Sequence, residues 1–327
     1  MLYPMIFRPV FKDYIWGGRE LARFGKKLPP DGIVAESWEL SSHPDGESVV
    51  ANGDFEGETF TTLVKRYGSA LVGNALPADK IAKFPLLVKF IDAKQSLSVQ
   101  VHPNDSFAYA NEGGELGKNE MWYIMAALPG AKIVYDVAPG TTRATFAKAI
   151  EEGRIRECLN FLPVKAGDFV DIPAGMLHAI GEGIVLAEVQ QNSNTTYRVY
   201  DYERLDGKGN ARELHIEKSL EVIDFDTASH PGIVQGTLVE SDPNFTRTSL
   251  VSNEYFTVEK LNVSGVYAGH ADGSRFYIYI VLSGNATLES NVGASKISLQ
   301  TGTTVLIPAE IGDYTISGEV EMLKAWV

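Results

Sequence analysis

GDFVDIPAGMLH (residues 167–178) and GTTVLIPAEIGD (residues 302–313) share one plan: a glycine, five strand-forming residues, then Pro-Ala. Upstream of each lies an aromatic-rich segment running to a glycine, EMWYIMAALPG (120–130) and RFYIYIVLSG (275–284). A strand, a turn signal and a second strand recurring in the same order mark two copies of one β unit. The expectation is a mainly β chain of two β-barrels, with a few helices inserted around the first. The first unit would span residues 1–240 and the second residues 241–327. In the second copy Asp313 stands where the first has His178, and Arg275 stands opposite Glu120. Any site built on His178 and Glu120 therefore belongs to the first unit.

The rest of the chain fits that frame. PLLVKFIDA, AKIVYDV, GIVLAEVQQ and TTVLIPAEI read as further strands punctuated by Gly, Pro, Asn and Asp. TFTTLVKRYGSALVG has apolar residues at helical spacing. TTRATFAKAIEEGRIRECLNFL has a Thr cap region and a Gly153 that predicts two helices, one on either side. Cys158, the sole cysteine, would lie in the second of these as an inert thiol.

With 327 residues, 44% of them hydrophobic, the chain can build a large core. A net charge of −13 argues against a nucleic-acid partner, which needs a basic face. An anionic small molecule would instead be met by a few clustered Lys or Arg side chains. One cysteine excludes an internal disulfide framework and a thiolate-rich metal site. The opening MLYPMIFRPVFKDYIWGG is broken by Pro4, Arg8 and Lys12, unlike a signal peptide. No apolar run suits a membrane span, so the expected setting is cytoplasmic.

The chemistry converges from three segments. In SLSVQVHPNDSF (96–107) Leu97, Val99 and Val101 alternate with Ser98, Gln100 and His102, which places an amide and an imidazole on one strand face. Glu120 opens the strand EMWYIM, and His178 closes GDFVDIPAGMLH, where Pro173 and Gly175 shape the turn before it. Two imidazoles, a carboxylate and an amide oxygen can hold a divalent ion and leave positions open for substrate. His43, His215, His230 and His270 lack such a setting. Among the cations, Lys118 lies two residues before Glu120 and would share its face, while Lys89, Arg198 and Arg204 lie on or beside strands. An anionic substrate gives cations inside an acidic protein a purpose. Glu188, ten residues past His178 on an apolar strand, suits a general base, a partner for a substrate hydroxyl, or a counter-ion to one of the cations. GGELGKNE lacks the pattern of a nucleotide-binding P-loop.

Gly167-x5-Pro173-x-Gly175-x2-His178 resembles the second metal motif of the cupins, which implies jelly-roll barrels. QVHPND, GKNEMWYI, IPAGMLHAIGEG and EVQQNSNTTYRVYDYER, with YIWGGREL and AESWELSSHPDGES before them, together resemble the zinc-dependent type I mannose-6-phosphate isomerases in their short bacterial form. The match runs from the N-terminus to about residue 220 and is looser beyond. The resemblance implies one Zn2+ per chain held by Gln100, His102, Glu120 and His178. It implies Arg198 as an active-site arginine, and Lys89, Lys118, Ser98 and Glu188 as pocket residues. Asn194 and Arg204 stand where longer members have an aspartate and a lysine, and would line the substrate site in their place. The reaction so implied interconverts mannose 6-phosphate and fructose 6-phosphate through an enediol. Candidates for the proton carrier are Glu188, a zinc-bound water and neutral Lys118. Two other readings compete. A non-haem iron cupin oxygenase also uses two histidines and a carboxylate, and a sugar-phosphate binder would keep the ligands without the chemistry. The sequence carries no signal for oligomeric state.

Overall fold

The computed structural model describes residues 1–77, 83–226, 232–292 and 296–327. It is mainly β, with antiparallel strands in three sheets. The six-stranded sheet runs Phe169–Ile172, Glu120–Ala127, Ile184–Gln191, Leu86–Ala93, Glu36–Leu40, Val10–Lys12. A five-stranded sheet faces it, in the order Tyr197–Tyr200, Val99–Val101, His178–Ala179, Lys132–Val137, Leu159–Pro163. The nine-stranded sheet is built mainly from residues after 236, including the long strands Thr257–Ala271, Tyr277–Ser290 and Gly312–Trp326. It also takes in Met5–Arg8, which pairs with Thr304–Ile307, so strands near both ends of the sequence share one sheet.

Packing follows from how each strand divides its side chains. Leu86–Ala93 and Ile184–Gln191 are buried along their whole length, which requires cover on both faces. Val88, Phe90, Ala187 and Val189 join one core with Ile278, Ile280 and Leu323 of the nine-stranded sheet. Their neighbours Ile91 and Leu186 point the other way, into a core shared with Ile133, Tyr135 and Ile180. Beyond the five-stranded sheet, Val99, Val101, Val134 and Tyr197 form a third core with Phe146 of the helix Arg143–Glu151 and Ile223. Leu220 of the helix Ile216–Val222 packs against that core. The layers therefore run helices, five strands, six strands, nine strands, and the space between the two inner sheets receives every second residue of both.

The helix expected before Gly153 forms at Arg143–Glu151, started by a capping box between Thr142 and Thr145. The second expected helix does not form. Ile155–Cys158 makes a single 3₁₀ turn, and Leu159–Pro163 continues as a strand against Lys132–Val137. Ala138 N–H donates to the Cys158 carbonyl at 2.8 Å, so the ladder claims the backbone groups a helix would need. Cys158 is half-buried. Among the described residues, no helix is long and apolar enough to cross a membrane.

Candidate active site

The alternation of the two inner sheets puts two rows of polar side chains face to face. On the six-stranded sheet Trp38, Lys89, Glu188 and Trp122 occupy paired positions on four adjacent strands. Glu120 pairs with Gln190 at the strand end. On the five-stranded sheet His178, Gln100 and Arg198 stand side by side. A cavity of about 260 Å³ lies between the rows, lined among others by Glu36, Lys89, Ser98, Gln100, Lys118, Glu188, Asn194 and Arg198.

Next to Gln100 and Lys118 of the cavity wall, three buried side chains converge. One ligand atom from each of His102, Glu120 and His178 lies within 4.8 Å of the others. Gly175, with φ of 90°, makes the turn that returns the chain to His178, and its N–H donates to the His102 carbonyl at 2.8 Å. That conformation suits a residue without Cβ, and the bond fixes the two histidine segments to each other. Each ring is oriented by a backbone carbonyl: His102 Nδ1 donates to Thr195 O and His178 Nδ1 to Met176 O, both at 2.9 Å. A carbonyl only accepts, so the Nδ1–H tautomer is fixed and each Nε2 carries a bare lone pair. The two Nε2 atoms face each other at 3.1 Å.

Both rings are held neutral. Burial, reinforced by the Lys118 charge, pushes His178 down to about 3 and His102 well below its ordinary range. Glu120 is pushed up to about 7 by burial and by the Glu188 charge. Its Oε1 is buried without a hydrogen bond, 3.4 Å from His178 Nε2. Lys118 Nζ lies 2.6 Å from Glu120 Oε2 and 2.8 Å from His102 Nε2, bringing a positive charge to two of the three groups. Gln100 Nε2 is 3.4 Å from His178 Nε2, and a half-turn of the amide exchanges its nitrogen and oxygen. Two imidazole lone pairs brought together beside a buried carboxylate oxygen that has no hydrogen bond fit a divalent cation, and two imidazoles with a carboxylate suit zinc.

Lys89 occupies the cavity floor, its Nζ 3.3 Å from Glu188 Oε1 and 3.6 Å from Glu36 Oε2. Indole N–H groups hold the two carboxylates: Trp122 donates to Glu188 at 2.8 Å and Trp38 to Glu36 at 2.6 Å. Burial alone would raise Glu188, but Lys89 and Lys118 outweigh it and keep that carboxylate below its ordinary value.

Asn194 is at the rim, where its Nδ2 donates to Asp45 Oδ2 at 2.7 Å. Arg204 is held by Asp201 and the Ser96 carbonyl and is not among the cavity-lining residues. Arg212 lines the cavity instead, with Tyr14, Trp16, Glu36, Trp122 and Thr196, none of which sequence reasoning singled out. Of these, all but Arg212 lay in motifs already noted. His43 is buried elsewhere against Trp38. His215 accepts from the Arg198 N–H, and His270 pairs with Asp313. His230 lies outside the described residues.

Residues 5–121 match the catalytic-domain model of type I phosphomannose isomerase, and residues 246–327 match the mannose-6-phosphate isomerase cupin-domain model. The chain is 40% identical to the mannose-6-phosphate isomerase ManA of Bacillus subtilis (strain 168), over 98% of each. It is 37% identical to the mannose-6-phosphate isomerase of Streptococcus mutans, over 99% of this chain and 98% of that one. The crystal structure of the mannose 6-phosphate isomerase from Bacillus subtilis superposes with a TM-score of 0.90 at 35% identity, covering both chains completely. A mannose 6-phosphate isomerase solved with zinc and yttrium shares the fold, with a TM-score of 0.76 at 15% identity over 99% of each chain. By sequence along its whole length and by fold, this chain belongs to the type I phosphomannose isomerases.

Proposed function

We infer that the chain interconverts mannose 6-phosphate and fructose 6-phosphate, using one zinc ion held by His102, Glu120, His178 and Gln100. One observation carries the reading: converging buried ligand atoms are reached through Gln100 and Lys118 from a cavity that also presents Arg198 and Arg212. The substrate matches both features, with two oxygenated reacting carbons at one end and a phosphate dianion at the other. Relatives 37–40% identical over nearly the whole chain carry the isomerase name, which favours turnover over the sugar-phosphate binder and the iron oxygenase.

Isomerisation moves a proton between C2 and C1, and the barrier is ionisation of a C–H beside a carbonyl. A bound zinc ion supplies Lewis acidity toward the oxygens on which charge develops. The chain supplies the rest. The backbone carbonyls of Thr195 and Met176 keep His102 and His178 neutral and aimed inward. Lys118 adds a cationic hydrogen-bond donor beside the reacting oxygens. Glu188 carries the proton, with Oε2 fixed by Trp122 and Oε1 3.3 Å from Lys89 Nζ at the cavity wall. Asn194, being an amide, cannot take that role. Arg198 holds the phosphate end, with its Nε 3.3 Å from Ser98 Oγ.

The test is a coupled assay of mannose 6-phosphate conversion by the purified protein. Turnover supports the reading. Saturable binding of the sugar phosphate without turnover would replace the isomerase with a binding protein.

A further inference from the structure

The cavity contains more positive charge than its own carboxylates neutralise, and the excess is local. Lys89 is matched by Glu36 and Glu188, and Lys118 by Glu120. Arg198 has no carboxylate within ion-pair distance among the described residues; its partners are Ser98 Oγ and the Glu213 carbonyl. It is half-buried, and burial together with the nearby Arg212 lowers its pKa. Two guanidiniums sharing one cavity wall repel each other, and partial burial strengthens that repulsion.

Arg212 is gripped along one edge, its Nε donating to Asp201 Oδ2 at 2.8 Å and its Nη2 to Asp201 Oδ1 at 2.5 Å. Asp201 Oδ1 also receives Arg204 Nη2 at 2.5 Å. Arg204 and Arg212 thus share one carboxylate while Arg198 beside them has none, a formal excess of two across the three arginines. Among the described residues, Nη1 of Arg212 and Nη2 of Arg198 make no hydrogen bond. An excess of two positive charges with two unused N–H arms on one wall fits a phosphate dianion.

We propose that Arg212 is a specificity-determining residue that recognises the phosphate jointly with Arg198, and that Asp201 positions it. This rests on the phosphosugar reading and names the residue that enforces it. Arg204 shares Asp201 Oδ1 with Arg212, is tied to the Ser96 carbonyl, does not line the cavity, and acts as a buttress for the carboxylate. Neither Arg212 nor Asp201 touches the reacting carbons. Their effect is on binding the phosphate, so it falls on KM.

The experiment compares Arg212→Met, Arg212→Lys and Arg204→Met with the parent chain. The expected result for Arg212→Met is a rise of about 100-fold in KM for mannose 6-phosphate and an equal rise in the inhibition constant of inorganic phosphate. Its kcat should change less than about threefold, and its preference for mannose 6-phosphate over mannose should fall by the KM factor. Arg212→Lys restores part of the loss because it keeps the charge without the fork, and Arg204→Met has a smaller effect than Arg212→Met. Arg212→Met protein with parental KM and parental phosphate inhibition overturns the proposal, as does a loss confined to kcat. Should the parent chain fail to turn over mannose 6-phosphate, the isomerase reading falls. Calorimetry with inorganic phosphate on the parent and Arg212→Met chains then still decides the arginine pair, with equal affinities overturning it.

Discussion

His178 Nε2 stands 3.1 Å from His102 Nε2 while the Nδ1–H of each ring is committed to a backbone carbonyl. Two lone pairs aimed at each other in a buried space are favourable only around a cation. His102→Ala and His178→Ala should each weaken zinc binding by at least about 100-fold, since loss of even an orienting partner costs 10- to 100-fold. Competition with a chromophoric chelator measures it. Unchanged zinc affinity in both variants would remove these residues from the metal site.

The pH dependence of metal binding should follow Glu120 rather than the histidines. A carboxylate ligand must be ionised to bind, and Glu120 is pushed up to about 7. As pH falls below about 7, zinc must displace a proton from it, and affinity declines toward about tenfold per pH unit. His178, at about 3, and His102 are already neutral between pH 5 and 7 and release nothing there. Calorimetry in buffers of different ionisation enthalpy should show about one proton released at pH 6 and almost none at pH 8.5. Release of two protons at pH 5.5 would mean that the imidazoles titrate instead.

Glu188→Gln keeps the size of the side chain and leaves Lys89 paired with Glu36. As the proton carrier, Glu188 should be worth about 100- to 10,000-fold in kcat. Substrate exchange monitored by NMR in deuterium oxide should show the same drop in label entering C1 and C2. A variant within threefold of the parent would transfer the role to another group.

Lys89→Met tests the cavity floor as structure. Burial by itself would lower the Lys89 pKa, yet Glu36 and Glu188 raise it and keep the ammonium charged. Removing it leaves two buried carboxylates without a counter-ion, which costs about 3–5 kcal/mol. Chemical denaturation should give that loss at pH 7, and part of it should be recovered in Lys89→Met/Glu36→Gln. A loss below 1 kcal/mol would show that the floor relaxes or hydrates freely.

Strand-forming segments were legible because their signals are local. The period-two pattern of Ser98, Gln100 and His102 needed only the pleat to place them on one face. Proximity across sheets was not legible. Lys89 and Glu188 are ninety-nine positions apart and meet because Leu86–Ala93 pairs with Ile184–Gln191, a register that no short segment encodes. Arg212 follows the loop LDGKGNA without any motif, and is placed by the Leu205–Ala211 bridge that folds this loop back. Arg204 belongs to a recognisable motif that suggests a place beside the sugar, whereas its guanidinium turns to Asp201 and Ser96. The segment after Gly153 misled for the opposite reason. Its helical spacing is real, but pairing with Lys132–Val137 buries Leu159 and extends the sheet by one edge strand.

The most direct measurement of the central claim is a zinc titration of chelator-stripped protein, with isomerase activity and bound metal read on the same samples. Activity on mannose 6-phosphate should vanish on stripping and return in proportion to zinc, reaching its plateau at one ion per chain. Full activity in protein shown to be metal-free would contradict the account.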